Sequence, residues 1–390
     1  MKILLLGIGM QGKAALHDLV NSSNVSQIIA ADRDIKLLEA YISDCGYVDK
    51  VICRYLDASN KANLERLFAE KPDVVIDLLP VPFMDDVAIT AVKYNCHLVN
   101  TFYTSPKIRE LSDEAKNKNI TILPEFGLDP GIDLVLLGRA LQYFDNVSVI
   151  KSYGAGIPEP EAIDNPLKYK VTWTFEGVLR AYHRTAYLIQ SGQINEIKDT
   201  EIFNSENIHE VEIKGLGKLE AYPNGDSSKY LSLLGIDEKE LKLMGRYTLR
   251  WPGHCAFWKA LVDLHMLDDE PVKIEGISVD RKKFLAAVIE PHIRLADEER
   301  DIALVRIEVE GKKDGEEKRR IYQVIDYRDL ETGLTAMSRT VGYTASIGAI
   351  LIGTGKISKR GLLSPVRDIP YELFVDELKK RNIHVSEKFE

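Results

Sequence analysis

The sequence predicts an α/β protein: an N-terminal doubly wound parallel sheet, followed by a second, α+β domain with a mixed sheet. Three observations support this prediction. Six short apolar runs alternate with helical patterns between residues 2 and 123. A glycine-rich turn joins the first run to the first helix. Beyond residue 129 this alternation stops, and longer alternating runs joined by tight turns replace it.

The glycine-rich turn has the sequence GIGMQG and lies between a strand at 2–6 and a helix expected over 13–19. Gly7 permits the tight turn, Gly9 lets a pyrophosphate approach the backbone, and Gly12 lets the helix pack close to the strand. The helix N-terminus offers N–H donors and a partial positive charge to phosphates. The turn therefore predicts a dinucleotide-binding (Rossmann) domain.

The other elements of this third follow in regular order. Helices are expected over 35–42, 62–69, 86–94 and 108–118, and strands over 28–31, 51–53, 74–76, 97–99 and 120–123. Ligands bind beyond the carboxyl ends of the strands in such sheets. The predicted cofactor-binding residues are Gly7, Gly9, Met10, Gln11, Gly12, Asp32, Arg33, Asp57, Ala58, Leu79, Pro80, Leu128 and Pro130. For Asp57 the alternative is a helix cap or turn residue.

Asp32 ends the second strand, twenty residues after Gly12. An acid at this position accepts hydrogen bonds from the adenosine ribose and repels a 2′-phosphate. Arg33 beside it could stack on adenine or bind a phosphate. We therefore expect NAD as the cofactor, with NADP as the alternative.

Composition narrows the function classes. The 390-residue chain is 45% hydrophobic and 28% charged, with a net charge of −9, which argues against a nucleic-acid or anionic-membrane surface. The four cysteines, Cys45, Cys53, Cys96 and Cys255, have no metal-ligand spacing. No apolar run reaches membrane-spanning length, and a strand at residue 2 leaves no room for a leader. We expect a cytoplasmic protein that acts on a small molecule, with no metal, nucleic-acid or membrane partner.

The rest of the chain predicts a second domain. Strands are expected over 147–153, 169–174, 301–310 and 319–327, helices over 177–189, 256–267 and 345–352, a functional loop over 154–166, and a hairpin turn at 314–315. The amphipathic tail is expected to pack back on the first domain. The predicted domains are 1–128 for the dinucleotide, 129–340 for the substrate, and 341–390 as the C-terminal helical segment.

Several long motifs occur in order along almost the whole chain. They are Glu125–Asp133 (EFGLDPGID), Ser152–Glu161 (SYGAGIPEPE), Asp164–Lys170 with Trp173, Tyr222–Asn224, Asp226–Ser227, Tyr247–Arg250 and Ala336–Gly342. Together they resemble the glutamate-forming saccharopine dehydrogenases. The resemblance implies oxidation of a C–N bond by a nicotinamide dinucleotide, with saccharopine giving glutamate and 2-aminoadipate semialdehyde. It also suggests a homo-oligomer, most simply a homodimer.

Other features are closer to the related lysine 6-dehydrogenases, which release the same semialdehyde and ammonia from lysine. The chain length, Asp32, the Glu176-Gly177 pair, Lys359–Gly361 and Asp376–Lys380 are similar to that group. Three residues also depart from the saccharopine pattern. Gly225 and Glu176 stand where arginines are expected, and Gly154 stands where a cysteine is expected. Because a substrate with three carboxylates needs cationic donors, the substrate stays open, and a related amine such as a carboxylated polyamine is a third possibility.

The candidate substrate residues are Asp129, Tyr103, Arg250, Trp173 and Asn224. Asp129 and Tyr103 are the predicted catalytic residues, because they follow strands at the predicted cofactor edge and resemble substrate contacts of the family. Arg250 could pair with the α-carboxylate through both guanidinium nitrogens. Trp173 and Asn224 are assigned from the resemblance. The alternative for Asp129 is a turn or helix-cap aspartate, and for Tyr103 a packed loop aromatic. For Arg250 it is a surface or interdomain ion pair, and Trp173 and Asn224 could have purely structural roles.

Three further residues are weaker candidates. His254 and Lys151 could carry protons, although a lone histidine is more often a surface or core residue. Asp133 lies one helical turn after Asp129, and we favour a structural role for it. A protein of another class, a redox sensor that binds NAD(H) without turnover, would keep the glycine turn but lose the substrate motifs.

Overall fold

The structure is a computed structural model that describes residues 1–390. It divides into two compact units. The first contains Met1–Arg139 and Ser338–His384, and the second contains Ala140–Met337 and Val385–Glu390. The predicted divisions were after residues 128 and 340. The structure instead divides the chain after residues 139, 337 and 384, because the last strand belongs to the sheet of the second unit.

The strands are β1 Lys2–Leu6, β2 Gln27–Asp32, β3 Val51–Tyr55, β4 Val74–Asp77, β5 His97–Asn100, β6 Thr121–Leu123, β7 Asn146–Pro158, β8 Ala186–Gln190, β9 Gln193–Ile197, β10 His209–Ile213, β11 Gly217–Pro223, β12 Leu243–Arg250, β13 Val272–Ile274, β14 Ile277–Val279, β15 Asp301–Lys313, β16 Glu316–Tyr327, β17 Gly361–Leu362 and β18 Val385–Phe389.

The α-helices are α1 Met10–Asn21, α2 Ile35–Asp44, α3 Lys61–Phe68, α4 Met84–Lys93, α5 Pro106–Glu110, α6 Ser112–Asn117, α7 Ile132–Leu141, α8 Phe175–Ala181, α9 Leu231–Leu234, α10 His254–Asp263, α11 Arg281–Ile289, α12 Ala336–Gly353, α13 Pro365–Asp368 and α14 Tyr371–Lys379. Short 3-10 helices cover Val81–Phe83, Pro160–Ala162, Ser205–Asn207, Ser228–Tyr230, Glu238–Glu240 and Glu290–His292. None of the helices is both long and apolar enough to span a membrane.

The first unit contains a parallel sheet in the order β17-β6-β5-β4-β1-β2-β3. β1 lies in its interior, and Ile3 to Leu6 are fully buried. A run of consecutive buried apolar residues is expected where helices cover both faces of a parallel sheet. The predicted doubly wound sheet is confirmed, and β17 adds a seventh strand that is too short to be recognised from its sequence.

The C-terminal segment of the first unit packs on the rest of that unit through close backbone contacts. A Cβ on Gly342 of α12 would lie 2.5 Å from the Gln11 carbonyl oxygen of α1. A Cβ on Gly348 would lie 2.6 Å from the Phe126 ring. Arg381 donates to both carboxylate oxygens of Asp18, at 2.7 and 2.9 Å. Small residues on α12 therefore allow a close approach that larger side chains would prevent.

The second unit contains a nine-stranded mixed sheet. β7 pairs in parallel with β12 and antiparallel with β15. β15 and β16 form the predicted hairpin, and Asp314 and Gly315 have φ values of +53° and +83°. Two consecutive residues with positive φ are typical of the tight turn that matches strand twist. The predicted α+β domain with a mixed sheet is confirmed.

Three local predictions in the second unit are wrong. β7 continues through residues 154–158, so the first part of the expected loop is strand. Residues 169–174 form no strand; buried Lys170 instead pairs with Asp164 at 2.7 Å and Glu299 at 3.0 Å. The helix expected over 177–189 ends at Ala181, and the chain then enters β8. The order of polar and apolar residues in a sequence does not show whether a segment is buried by strand pairing, by a helix face or by other tertiary packing.

In the first unit, the helix expected over 108–118 is two helices. Leu111 interrupts it with a tighter backbone hydrogen bond to Ile108. The helix expected at residue 13 begins at Met10, directly after Gly9.

Candidate active site

The glycine turn has the geometry that its sequence predicts. Gly7 has a φ of +84°, and its N–H donates to the Ala31 carbonyl at 2.9 Å. A Cβ on Gly12 would overlap the Gly7 carbonyl oxygen, whereas a Cβ on Gly9 would meet no atom within 4 Å. Gly12 is therefore required for close packing, and Gly9 leaves open space where a phosphate can approach the backbone.

The N-terminus of α1 and Asp32 complete this part of the site. Gly9 caps α1, and no side chain accepts a hydrogen bond from the first turn, which contains Met10 and Gln11. Asp32 accepts from the Ile8 N–H at 2.8 Å and from the Asp34 N–H at 3.0 Å, which fixes its carboxylate beside the turn. Free helix N–H groups, open space at Gly9 and a fixed acid at the end of β2 fit a dinucleotide.

The other predicted cofactor residues follow strands β2, β3, β4 and β6 of the same sheet. Arg33 and Pro80 are exposed, Asp57 is half-buried, and Ala58, Leu79, Leu128 and Pro130 are buried. Asp57 accepts from the Ser59 N–H at 3.0 Å and hydroxyl at 2.6 Å. Ser59, and to a smaller extent the Arg33 charge, hold the pKa of Asp57 below its usual value. Asp57 thus has the turn role considered as its alternative, and its nucleotide role stays a prediction.

Tyr103 lies in the loop after β5, and its side chain is 47% exposed. The loop is fixed on both sides of this residue. Thr104 donates its N–H and hydroxyl to Glu125 at 2.8 and 2.9 Å. Ser105 donates to Asp85 at 2.6 Å and caps α5. The Tyr103 ring is therefore presented from a well-anchored loop.

Asp129 lies after β6, in the turn that precedes α7, and is half-buried. Its neighbour Asp133 is fully buried and accepts from the Gly131 N–H at 2.7 Å. Burial raises the pKa of Asp133 to about 7. The hydrogen bond to Asp133 holds the turn that carries Asp129. This is the structural role that we favoured for Asp133. The catalytic roles of Asp129 and Tyr103 stay predictions.

Two buried polar residues at the ends of neighbouring strands were not recognised in the sequence. Asp77 ends β4, Asn100 ends β5, and the two are register partners. Asp77 accepts from the Leu79 N–H at 3.1 Å, and Asn100 accepts from the Phe102 N–H at 3.2 Å. Burial raises the pKa of Asp77 to about 7. Both side chains shape the turns that carry predicted site residues, and their position at strand ends was the available signal.

In the second unit, Arg250 ends β12 and is buried among neutral groups. Its Nε donates to the Tyr182 hydroxyl at 3.2 Å, and its guanidinium lies 5.2 Å from the centre of the Tyr169 ring. Nη1 donates to the Leu249 carbonyl at 2.9 Å. No carboxylate of the chain pairs with this cation. The guanidinium is thus oriented by hydroxyl, carbonyl and aromatic groups, and its charge is not neutralised.

His254 is part of the support for Arg250. Its Nδ1 lies 2.8 Å from the Leu167 carbonyl, which can only accept, so Nδ1 carries the proton. Nε2 then accepts from the Tyr182 hydroxyl at 2.8 Å. Burial, together with the Arg250 charge, lowers the pKa of His254 to about 3. His254 is therefore a neutral core residue with both ring nitrogens hydrogen-bonded, which favours the structural alternative, and its role as a proton carrier stays an untested prediction.

Trp173 and Asn224 occupy different parts of the second unit. The half-buried Trp173 ring lies against α8, where a Cβ on Gly177 would be 2.5 Å from its Cζ3 atom. Asn224 follows β11, donates its N–H to the Arg246 carbonyl at 2.8 Å, and accepts from Arg184. The segment from Trp173 to Arg184 thus contacts both Arg250, through Tyr182, and Asn224. Lys151 is a half-buried residue of β7, opposite Glu308 in the sheet.

The comparisons with known proteins identify the family. A model described as the saccharopine dehydrogenase NADP binding domain matches residues 3–123, and one described as the saccharopine dehydrogenase C-terminal domain matches residues 127–383. The chain belongs to the saccharopine dehydrogenase family. The predicted family is confirmed, and so is the class of dinucleotide-dependent dehydrogenase.

Relatives match this family member along almost its whole length. Saccharopine dehydrogenase [NADP(+), L-glutamate-forming] from Pyricularia oryzae is 27% identical, over 99% of this chain and 98% of its own. The Saccharomyces cerevisiae protein of the same name is 28% identical with the same coverage. The solved structure of apo histidine-tagged saccharopine dehydrogenase (L-Glu forming) from S. cerevisiae has a TM-score of 0.87, with 26% identity, over 100% of this chain and 99% of that one.

A more distant relative has a different name. Carboxyaminopropylagmatine dehydrogenase from Synechocystis is 22% identical, over 93% of this chain and 92% of its own. A carboxylated polyamine was the third substrate possibility in the sequence.

Proposed function

We propose that this protein oxidises the secondary amine of saccharopine with NAD(P), giving glutamate and 2-aminoadipate semialdehyde in a reversible reaction. The observation that carries the proposal is Arg250, a buried guanidinium with oriented neutral partners and no carboxylate of its own. Keeping a buried cation without a counter-ion is costly, so a carboxylate of the substrate is the expected partner. The names of the relatives, which match over nearly their whole length, support saccharopine as that substrate.

A bound nicotinamide would accept a hydride from the carbon that bears the amine. The protein binds the dinucleotide, orients the substrate and moves protons. The glycine turn and the N-terminus of α1 would hold the pyrophosphate, and Asp32 would accept hydrogen bonds from the ribose. Arg250 orients the substrate through a carboxylate. Asp129 and Tyr103 are the proposed groups for proton transfer at the amine nitrogen and at the water that attacks the imine. One water is consumed, the C–N bond breaks, and one proton is released.

For the cofactor we propose NAD as the preferred dinucleotide, with NADP also accepted. The family model and the fungal relatives carry NADP in their names. Asp32 favours NAD, because its carboxylate is fixed at the end of β2 by two backbone N–H groups and would repel a 2′-phosphate. Arg33 is the residue that would allow NADP, because its guanidinium could bind the 2′-phosphate.

A substrate comparison tests the proposed function. The purified protein is incubated with NAD or NADP and, in separate reactions, saccharopine, lysine or carboxyaminopropylagmatine, and absorbance of the reduced cofactor is followed. We expect turnover of saccharopine with release of glutamate. Turnover of lysine alone, with ammonia release, would identify a lysine 6-dehydrogenase instead. Tight dinucleotide binding without turnover of any amine would support the redox-sensor alternative.

The assembly is proposed from the family resemblance, and the location from the cysteine content. We propose a cytoplasmic homodimer. The location is supported by the four cysteines, which have neither the number nor the spacing of the disulfide framework usual in small secreted proteins. Light scattering coupled to size exclusion gives the mass in solution, and a mass of one chain at micromolar concentration would rule out the dimer.

A further inference from the structure

Arg184 is an exposed arginine that is held in one place by a neutral partner. It lies between α8 and β8, and its Nη2 donates to the Asn224 side-chain oxygen. Neither an aspartate nor a glutamate pairs with it. By contrast Arg180, one turn earlier, pairs with Glu176 at 2.7 Å. Most exposed arginines gain little from ion pairs and move freely. The Arg184 guanidinium is instead fixed by an amide and keeps its full positive charge, so it is oriented to bind an anion.

The guanidinium of Arg184 lies over Gly225. A Cβ on Gly225 would be 3.6 Å from Nη2 and 4.0 Å from Cζ of Arg184. Gly225 has a φ of +71°, a conformation that favours glycine over residues with a side chain. Arg184 therefore occupies the space into which a side chain at position 225 would project, and it brings a positive charge there from another element.

Backbone hydrogen bonds fix this arrangement. The Tyr187 N–H donates to the Gly225 carbonyl at 3.0 Å, and the Ser227 N–H donates back to the Tyr187 carbonyl at 3.0 Å. Asn224 is joined to β12 through Arg246. The start of β8, two residues after Arg184, is thus tied to the loop that carries Asn224 and Gly225.

We propose that Arg184 binds a second carboxylate of the substrate, supplying the cation that Gly225 lacks. This inference rests on the proposed function. Asn224 joins β12 at Arg246, whereas Arg250 is the last residue of the same strand. Four residues of strand separate these points by about 13 Å. Two cations linked to different points of β12, each without a carboxylate partner in the chain, suit a substrate with carboxylates at both ends, as saccharopine has. Lysine, with one carboxylate, has no group for Arg184.

The test compares Arg184→Ala, Arg184→Lys and Asn224→Asp in the full-length enzyme. Asn224→Asp keeps the shape of the amide but places an acid on Arg184, which neutralises it without removing it. Arg294→Gln is the matched control, because Arg294 is an exposed arginine of the same unit that pairs with Glu290. KM and kcat are measured for saccharopine with NAD and NADP, and circular dichroism checks that each variant is folded.

We expect the KM for saccharopine to rise roughly 10- to 100-fold in Arg184→Ala and Asn224→Asp, since hydrogen bonds to charged groups are of that strength. The kcat and the KM for the dinucleotide should change little. The KM of Arg184→Lys for saccharopine should lie between those of these variants and the wild type. The KM of Arg294→Gln should equal that of the wild type. Unchanged KM in Arg184→Ala, with an active wild type, would overturn the role of Arg184 alone. A wild type that does not turn over saccharopine would overturn the proposed function and this inference with it.

Discussion

At the scale of single residues, the series of hydrogen bonds that runs from Arg250 to the Leu167 carbonyl has a defined direction. Arg250 donates to Tyr182, Tyr182 donates to His254, and His254 donates to the Leu167 carbonyl. An arginine can only donate and a carbonyl can only accept, so the two groups in between have no choice of orientation. Neutral His254 is therefore a requirement of this series of hydrogen bonds, because protonation would make Nε2 a donor and remove the acceptor for Tyr182.

A pH-dependent loss of stability is predicted from His254. Its pKa is lowered from 6.5 to about 3, so the unfolded chain binds this proton more readily than the folded one. The stability it contributes is complete above pH 6.5 and is lost as the pH falls toward 3, by up to about 1.4 kcal/mol per pH unit. Urea unfolding of the wild type and of His254→Gln between pH 4 and 8 should show curves that converge at low pH.

Leu219→Ala serves as the control for this measurement, because it removes a fully buried side chain and no titrating group. Its free energy of unfolding should lie below that of the wild type by the same amount throughout the pH range. A His254→Gln curve that also runs parallel to the wild type would contradict the assignment of a buried neutral histidine.

Cofactor choice is predicted to depend on the charge of Asp32. Asp32→Asn keeps a side-chain oxygen for the Ile8 N–H but removes the negative charge and one ribose acceptor. The ratio of kcat/KM for NAD over NADP should fall by roughly tenfold or more. Asp34→Ser is the matched control, since it removes a neighbouring charge and keeps a side chain that can cap α2. An unchanged ratio in Asp32→Asn would mean that the acid does not set the preference.

The sequence was a good guide to single residues only where a local pattern defines their role. The glycines and Asp32 were predictable because turn, helix and strand end are contiguous in the chain. The part played by Arg184 was not, because it lies 41 residues before Gly225 and meets it only through the pairing of β8 with the 224–228 loop. The departure at Gly225 was visible as a missing charge, but the residue that compensates for it required the tertiary structure.

At the scale of elements, periodicity located the six larger strands of the first unit, because each is a short apolar run bounded by helical patterns. It failed where burial has another cause. Residues 169–174 alternate between apolar and polar side chains, yet Tyr169 and the ion-paired Lys170 are both buried and no neighbouring strand pairs with the segment. β17 has two residues and pairs with β6, a contact between positions about 240 residues apart that no local pattern contains.

The contact between α12 and α1 gives a prediction at this scale. Gly342→Ala should lower the free energy of unfolding by about 1–3 kcal/mol, because the new methyl group would meet the backbone of α1 at Gln11 and Ala15. The usual gain of alanine over glycine within a helix is smaller than this clash. Chemical denaturation measures the change. Lys379→Ala, on the exposed side of α14, should have little effect; equal stability of Gly342→Ala and wild type would show that the helices can separate without cost.

At the scale of the whole molecule, the first unit is built from two segments that are far apart in the sequence. Its sheet and helices need residues 338–384, which follow the entire second unit in sequence. A fragment of residues 1–128, the predicted dinucleotide-binding domain, would lack β17 at the edge of β6 and the Arg381 partner of Asp18, a pair in which each side chain is 11% exposed. It would also expose the surface of Phe126 that Gly348 covers.

We therefore predict that residues 1–128 alone do not fold cooperatively, whereas residues 1–139 joined to 338–384 by a flexible glycine-serine linker do. The joined protein should show a single thermal transition by circular dichroism and should bind NADH, detected by nucleotide fluorescence, because the glycine turn and Asp32 are present and the C-terminal segment supports α1. The 1–128 fragment has the same turn and the same acid, so it is the matched control for the segment. Cooperative unfolding and equal NADH affinity of that fragment would mean that the C-terminal segment is an accessory to the first unit and not a part of it.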